Sequence, residues 1–73
     1  MKKVLTLIDV VERISGNNLV IIRDGVTGAQ LFDTPMDAKL VIERLEFYPE
    51  NGKSNVVRIS LDSYKQSIVI DIL

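Results

Sequence analysis

Two runs of β-branched residues, Leu19-Val-Ile-Ile-Arg23 and Ser67-Ile-Val-Ile-Asp-Ile-Leu73, constrain this chain more than any other feature. Such runs favour extended backbone, where successive side chains point to opposite faces. Ile68, Ile70 and Ile72 share one face of the last strand, while Val69 and Leu73 take the other. Both faces therefore need cover, either from helices on both sides or from a second protein against one of them. A domain this short buries only about 60% of its unfolded surface. The chain has 73 residues, with no cysteine and no histidine. Disulfides and Cys/His zinc sites are thereby closed to it. Stability must come from an apolar core or from self-association. The 47% hydrophobic content and mean hydropathy of +0.20 fit both.

Nine basic and ten acidic residues give a net charge of -1. That balance argues against a general nucleic-acid binder, which carries a basic excess on one face, and against a heavily acidic DNA mimic. The opening Met1-Lys-Lys-Val-Leu-Thr-Leu-Ile-Asp9 resembles a signal sequence only briefly: charges at Asp9, Glu12 and Arg13 break the apolar run, and no small-residue cleavage site follows. No stretch reaches the ~18 apolar residues of a membrane span. The expectation is a soluble, cytoplasmic protein.

Thr6 and Asp9 have capping-box spacing, and Leu5 with Val10 forms the accompanying hydrophobic staple. Leu7, Ile8, Val10, Val11 and Ile14 repeat on one face, and Gly16 offers a left-handed stop, which predicts a helix over 7–15. Asp24-Gly-Val-Thr-Gly28 reads as a hairpin loop that pairs Asp24 with Ala29, Ile22 with Leu31 and Val20 with Asp33. Thr34-Pro-Met-Asp37 reads as a second capping box with proline at the first helical position, opening a helix over 35–42.

Arg44-Leu-Glu-Phe-Tyr48 alternates, as does Asn55-Val-Val-Arg-Ile-Ser-Leu61, which predicts two strands with Leu45, Phe47, Val57, Ile59 and Leu61 facing inward. Asn51-Gly52 invites a tight turn between them. Keeping core opposite core instead requires an odd-length loop centred on Gly52, with Phe47 opposite Val57, Leu45 opposite Ile59 and Glu46 opposite Arg58. After the polar stretch 62–66 comes the last strand. The resulting fold is a single α+β domain of order α-β-β-α-β-β-β. Its mainly antiparallel sheet is packed by one or two short helices.

Few groups carry chemistry. The Asp24–Gly28 segment lacks the Lys-Ser/Thr of a phosphate loop, the three glycines of a dinucleotide fingerprint and the distal ligands of a calcium loop. Asp33 and Asp37 have the look of an acid/base pair but are better explained as a strand end and a helix cap. Without histidine, Ser-His-Asp and Cys-His nucleophile systems are excluded. Ser63 and Lys65 lie in a polar connection that predicts solvation rather than catalysis. Neither enzyme activity nor a cofactor nor a metal is expected.

The predicted pairing sets Arg44, Glu46, Tyr48, Val56 and Arg58 on one sheet face, with Tyr64 close enough to join them. Tyrosine and arginine dominate binding hot spots, so this face is a candidate contact surface, weighed against an ordinary wet sheet face. A nucleic-acid platform using Arg44, Tyr48 and Arg58 is the second choice. The C-terminal apolar strand, if left at an edge, is a natural donor to a partner.

The first helix, the strand "LVIIRDG", the second strand running into "DTP", and the terminal "IVIDI" together resemble very small phage and prophage proteins of Gram-positive bacteria. The resemblance covers most of the chain and carries over no functional residue. What it implies is accessory phage biology, in which a stoichiometric binder of a host or defence protein is one role. The expectation is a non-enzymatic protein–protein interaction module, with a protein partner or a second copy of itself, and no membrane.

Overall fold

The computed structural model describes residues 5–64 and 66–73. Its elements are α1 (Leu7–Val11), β1 (Leu19–Asp24), β2 (Gln30–Asp37), α2 (Ala38–Phe47), α3 (Pro49–Gly52), β3 (Val56–Asp62) and β4 (Ser67–Ile72). The strands form one sheet in the order β2-β1-β4-β3. β1 pairs antiparallel with β2, β4 antiparallel with β3, and β1 parallel with β4. The fold is α+β as expected, and its sheet is mixed, antiparallel in two of its three strand pairings and parallel between β1 and β4.

The two β-branched runs become the central pair β1 and β4. Val20 and Ile22 lie beside Ile68 and Ile70 in the parallel register. With Ile72 they form the floor of the core, and Leu7, Val10 and Val11 of α1 and Ala38, Val41 and Leu45 of α2 close over it. The helices stand on this face alone. The other face carries Ile21 and Val69, both buried but outside the main core cluster, beside the polar pair Arg23 and Asp71. Helical cover on both sides of the sheet is thus not what the chain builds. Nor is β4 an edge donor, because it is hydrogen-bonded on both sides.

The Thr6 capping box forms as expected: the Asp9 amide donates to Thr6 Oγ1 at 3.4 Å and the Thr6 amide to Asp9 Oδ2 at 3.2 Å. α1 nonetheless ends at Val11 rather than Ser15. Beyond it the amides of Arg13 and Ile14 reach back only three residues, to Val10 and Val11, so the last turn tightens and unwinds. Gly16 is not left-handed; among the described glycines Gly28 is, with φ +78°.

β2 departs further from expectation. Ile22 does face Leu31, but Val20 faces Met36 rather than Asp33, because Phe32, Asp33, Thr34 and Pro35 bulge out of the ladder. Phe32 and Asp33 have φ of 59° and 55°, and the Thr34–Pro35 peptide is cis. Thr34 caps no helix, because β2 runs on to Asp37 and α2 starts only at Ala38. Its buried hydroxyl accepts from the Ile22 amide at 3.1 Å and donates to the Leu31 carbonyl at 2.9 Å, replacing the backbone groups that the bulge removes. β2 resumes at Met36 and Asp37, and α2 begins at Ala38, whose amide donates to the Asn18 carbonyl at 2.9 Å.

The strand expected over 44–48 is the end of α2. Ala38, Val41 and Leu45 are buried at helical spacing, whereas Phe47, expected in the core, is 79% exposed. Leu45 alone is compatible with either period. The competing alternation had two apolar points, and the helical stripe has three. Asn51 and Gly52 belong to α3, so no hairpin forms there and β3 has no partner in 44–48.

Candidate interaction site

Losing the strand at 44–48 disperses the expected contact face. Arg44 and Glu46 are exposed on α2. Tyr48 follows that helix, its ring 6.1 Å from Phe32 and tilted by 47°. Val56 opens β3 and packs against the core, Arg58 lies on β3 opposite Asp71, and Tyr64 protrudes from the hairpin turn at 95% exposure. Arg44 and Glu46 share the helical layer with Tyr48, but Arg58 belongs to the opposite, helix-free face. The six do not form one surface.

The hairpin loop is closed on itself. Asp24 Oδ1 accepts from the amides of Val26 at 2.7 Å and Thr27 at 3.1 Å, and Thr27 Oγ1 accepts from the Ala29 amide at 3.2 Å. The amides that would cradle an anion are already occupied by the loop's own carboxylate. Asp33 and Asp37 belong to β2, and Lys65 lies outside the described residues. On the helix-free face Arg23 makes a two-point contact with Asp71, Nε to Oδ1 at 2.9 Å and Nη2 to Oδ2 at 3.2 Å. Asp71 is 9% exposed against 38% for Arg23. The carboxylate raises the arginine's already high pKa by hydrogen bonding and by charge. Arg58 lies beside Asp71 in the β3–β4 ladder, and Arg23 with Asp71 forms the cross-strand ion pair between β1 and β4.

The surface that stands out is the outer side of β3. The ladder with β4 places Ile59 beside Ile70 and Leu61 beside Ile68, on the helix-bearing face of the sheet. No described helix covers that end. Leu61 is 79% exposed and Ile59 50%. Together with Leu5, Val10, Ile14 and Ile68 they wall an open apolar groove of about 320 Å³ between β3 and α1, with Arg13 at its rim. Val57 forms a bulge, falling between the Val56/Ile72 and Arg58/Asp71 pairs, and is itself half exposed.

The backbone of β3 is exposed as well as its side chains. At its start the Val56 amide donates outward to the Leu5 carbonyl at 2.9 Å, and Thr6 bridges Asn55. Beyond that point, among the described residues, no strand pairs with β3 on the side away from β4 at Ile59 and Leu61. Asp62 pairs with Ser67 to close the hairpin. Strand alternation from that pair turns the amides and carbonyls of Ile59 and Leu61 outward.

The other edge is treated differently. β2 is interrupted by the Phe32–Pro35 bulge and presents Asp33, Pro35 and Asp37 to solvent. Bulges, prolines and charges are the usual devices that block edge pairing. Ile59 and Leu61 were expected in the core. The signal for their exposure was the helical stripe Ala38, Val41, Leu45, which removes β3's second neighbour. No family model, curated protein or solved structure matches this chain. Among the described residues no helix is long and apolar enough to cross a membrane.

Proposed function

We propose that this protein is a non-enzymatic interaction module that binds a protein partner by adding a strand to β3. The observation behind the reading is the contrast between the two sheet edges: β2 is blocked by a bulge and proline, while β3 offers outward backbone groups beside exposed Ile59 and Leu61. In strand addition, main-chain hydrogen bonds supply affinity and pockets for alternate side chains supply specificity. The α1/β3 groove is such a pocket. A stoichiometric binder of this kind also suits the accessory role that the phage resemblance implies. With Arg44 and Tyr48 separated from Arg58, no observation favours the nucleic-acid reading.

The test is selection of displayed heptapeptides on the full chain, with Ile59→Lys/Leu61→Lys as counter-target. Peptides that alternate apolar residues, bind the native chain and lose at least tenfold on the double variant support the reading. Absence of enrichment on a monomeric chain, or equal binding to both proteins, refutes it.

A further inference from the structure

We propose that the strand added to β3 is β3 of a second copy, antiparallel and centred on Ser60, giving a twofold dimer with a continuous eight-stranded sheet. This rests on the reading of β3 as an open edge and adds the identity of the occupant. The argument is the self-complementarity of the strand. About Ser60 the sequence Arg58-Ile-Ser-Leu-Asp62 is self-complementary, apolar matching apolar and the two ends carrying opposite charge. Pairing it with itself sets each Arg58 opposite the second copy's Asp62, each Ile59 opposite a Leu61, and Ser60 opposite Ser60. Opposite charges and apolar pairs directly across a ladder are both stabilising.

The backbone agrees with this register. Ile59 and Leu61 are the residues whose amides and carbonyls face outward, and the register makes them the hydrogen-bonded pairs. A register centred one residue earlier would set Ile59 against itself and Leu61 against the bulge at Val57, and Arg58 would lose its direct partner. The pairing runs from Val57 to Ser63 and stops short of Val56, whose outward amide is held by Leu5. On the helix-bearing face the second copy's Ile59 and Leu61 extend the apolar layer of the groove. A twofold contact uses the same patch on both partners, so one exposed edge suffices.

The native chain has no cysteine, so Ser60→Cys introduces a single thiol. At a non-hydrogen-bonded antiparallel pair the two Cα atoms lie about 4.5 Å apart, inside the ~4.4–6.8 Å that a disulfide spans. Cysteines at position 58, or at 62, would each lie four residues from their twins, about 14 Å away. Mild oxidation of the full chain should therefore crosslink Ser60→Cys at least tenfold more than Arg58→Cys or Asp62→Cys. Light scattering should give twice the 8.2 kDa chain mass. Arg58→Glu and Asp62→Lys should each weaken the dimer tenfold or more alone. Mixed together they should restore it, because both charge pairs become opposite again.

A native chain that is monomeric up to millimolar concentration overturns the proposal. A dimer whose Ser60→Cys crosslinks no better than the controls overturns it too. A monomer that still captures displayed peptides leaves the proposed function standing, and a monomer that captures none removes both.

Discussion

Thr34 offers the sharpest test of how β2 is held. Replacing it by valine keeps the shape and the β-branch and removes only the hydroxyl. In the native chain that oxygen accepts the Ile22 amide at 3.1 Å and donates to the Leu31 carbonyl at 2.9 Å, and both Thr34 and Ile22 are buried. Valine leaves the Ile22 amide inside the sheet with no acceptor. Leu31 is only half-buried, so water can serve its carbonyl. The cost is therefore dominated by one buried, unmade donor, about 2 kcal/mol within the usual ~1–3 range. Thr34→Ser keeps the hydroxyl and loses one methyl, about 0.8 kcal/mol. A domain of this size has a total stability on the order of 4–10 kcal/mol, so the valine variant sacrifices a visible fraction and melts roughly 10 °C lower. Urea unfolding followed by far-UV circular dichroism, fitted with a common slope, reads both differences. Valine within ~0.5 kcal/mol of the native chain, or serine less stable than valine, would refute the bulge-bridging role, since surface substitutions alone stay within that margin.

Two further comparisons use the same assay. Leu45→Ala should cost about 2–5 kcal/mol because it empties a core site, whereas Phe47→Ala, on an exposed position, should stay within ~0.5 kcal/mol; equal penalties would return 44–48 to a strand. A Cβ on Gly25 would sit 3.0 Å from both the Ile72 carbonyl oxygen and Val57 Cγ2, whereas at Gly28 the space is open and only the positive φ resists a side chain. Gly25→Ala should therefore cost about 1–3 kcal/mol through overpacking, and Gly28→Asn less than ~1 kcal/mol because asparagine tolerates the left-handed region; the reverse order would refute the assignment.

Local signals with a single physical reading were legible in the sequence. The Thr6–Asp9 capping box, the Asp24–Gly28 loop with its Ile22/Leu31 register, and the Ile68, Ile70, Ile72 face all form as their spacing requires. Signals with two readings were decided by the rest of the chain. Thr34-Pro-Met-Asp37 fits a helix start on its own. In the fold, pairing of Met36 and Asp37 with Val20 and Leu19, together with a buried hydroxyl bridge, outweighs one capping box. The Arg44–Tyr48 alternation contained two apolar residues, too few to separate a period of two from one of 3.6. The parallel pairing of β1 with β4 joins residues 48 apart, and no local spacing encodes it.

The assignment of 44–48 also decides what β3 is for. With a fifth strand beside it, the alternation Val57, Ile59, Leu61 is ordinary core, and the contact surface would be the polar face holding Arg44, Tyr48 and Arg58. With 44–47 in α2, the same alternation lies on an edge that α1 only partly shelters. The apolar residues then become the exposed ones, and Arg58 and Asp62 flank them as the charges that would set the register of the proposed strand pairing. A 73-residue chain without disulfides gains little from leaving Leu61 in water. Arg58 and Asp62 oppose aggregation in any register that sets like charges together, and permit the one that sets them opposite. An edge with Ile59 and Leu61 exposed between opposite charges at Arg58 and Asp62 suits the selective strand pairing proposed for β3 rather than indiscriminate edge-to-edge association.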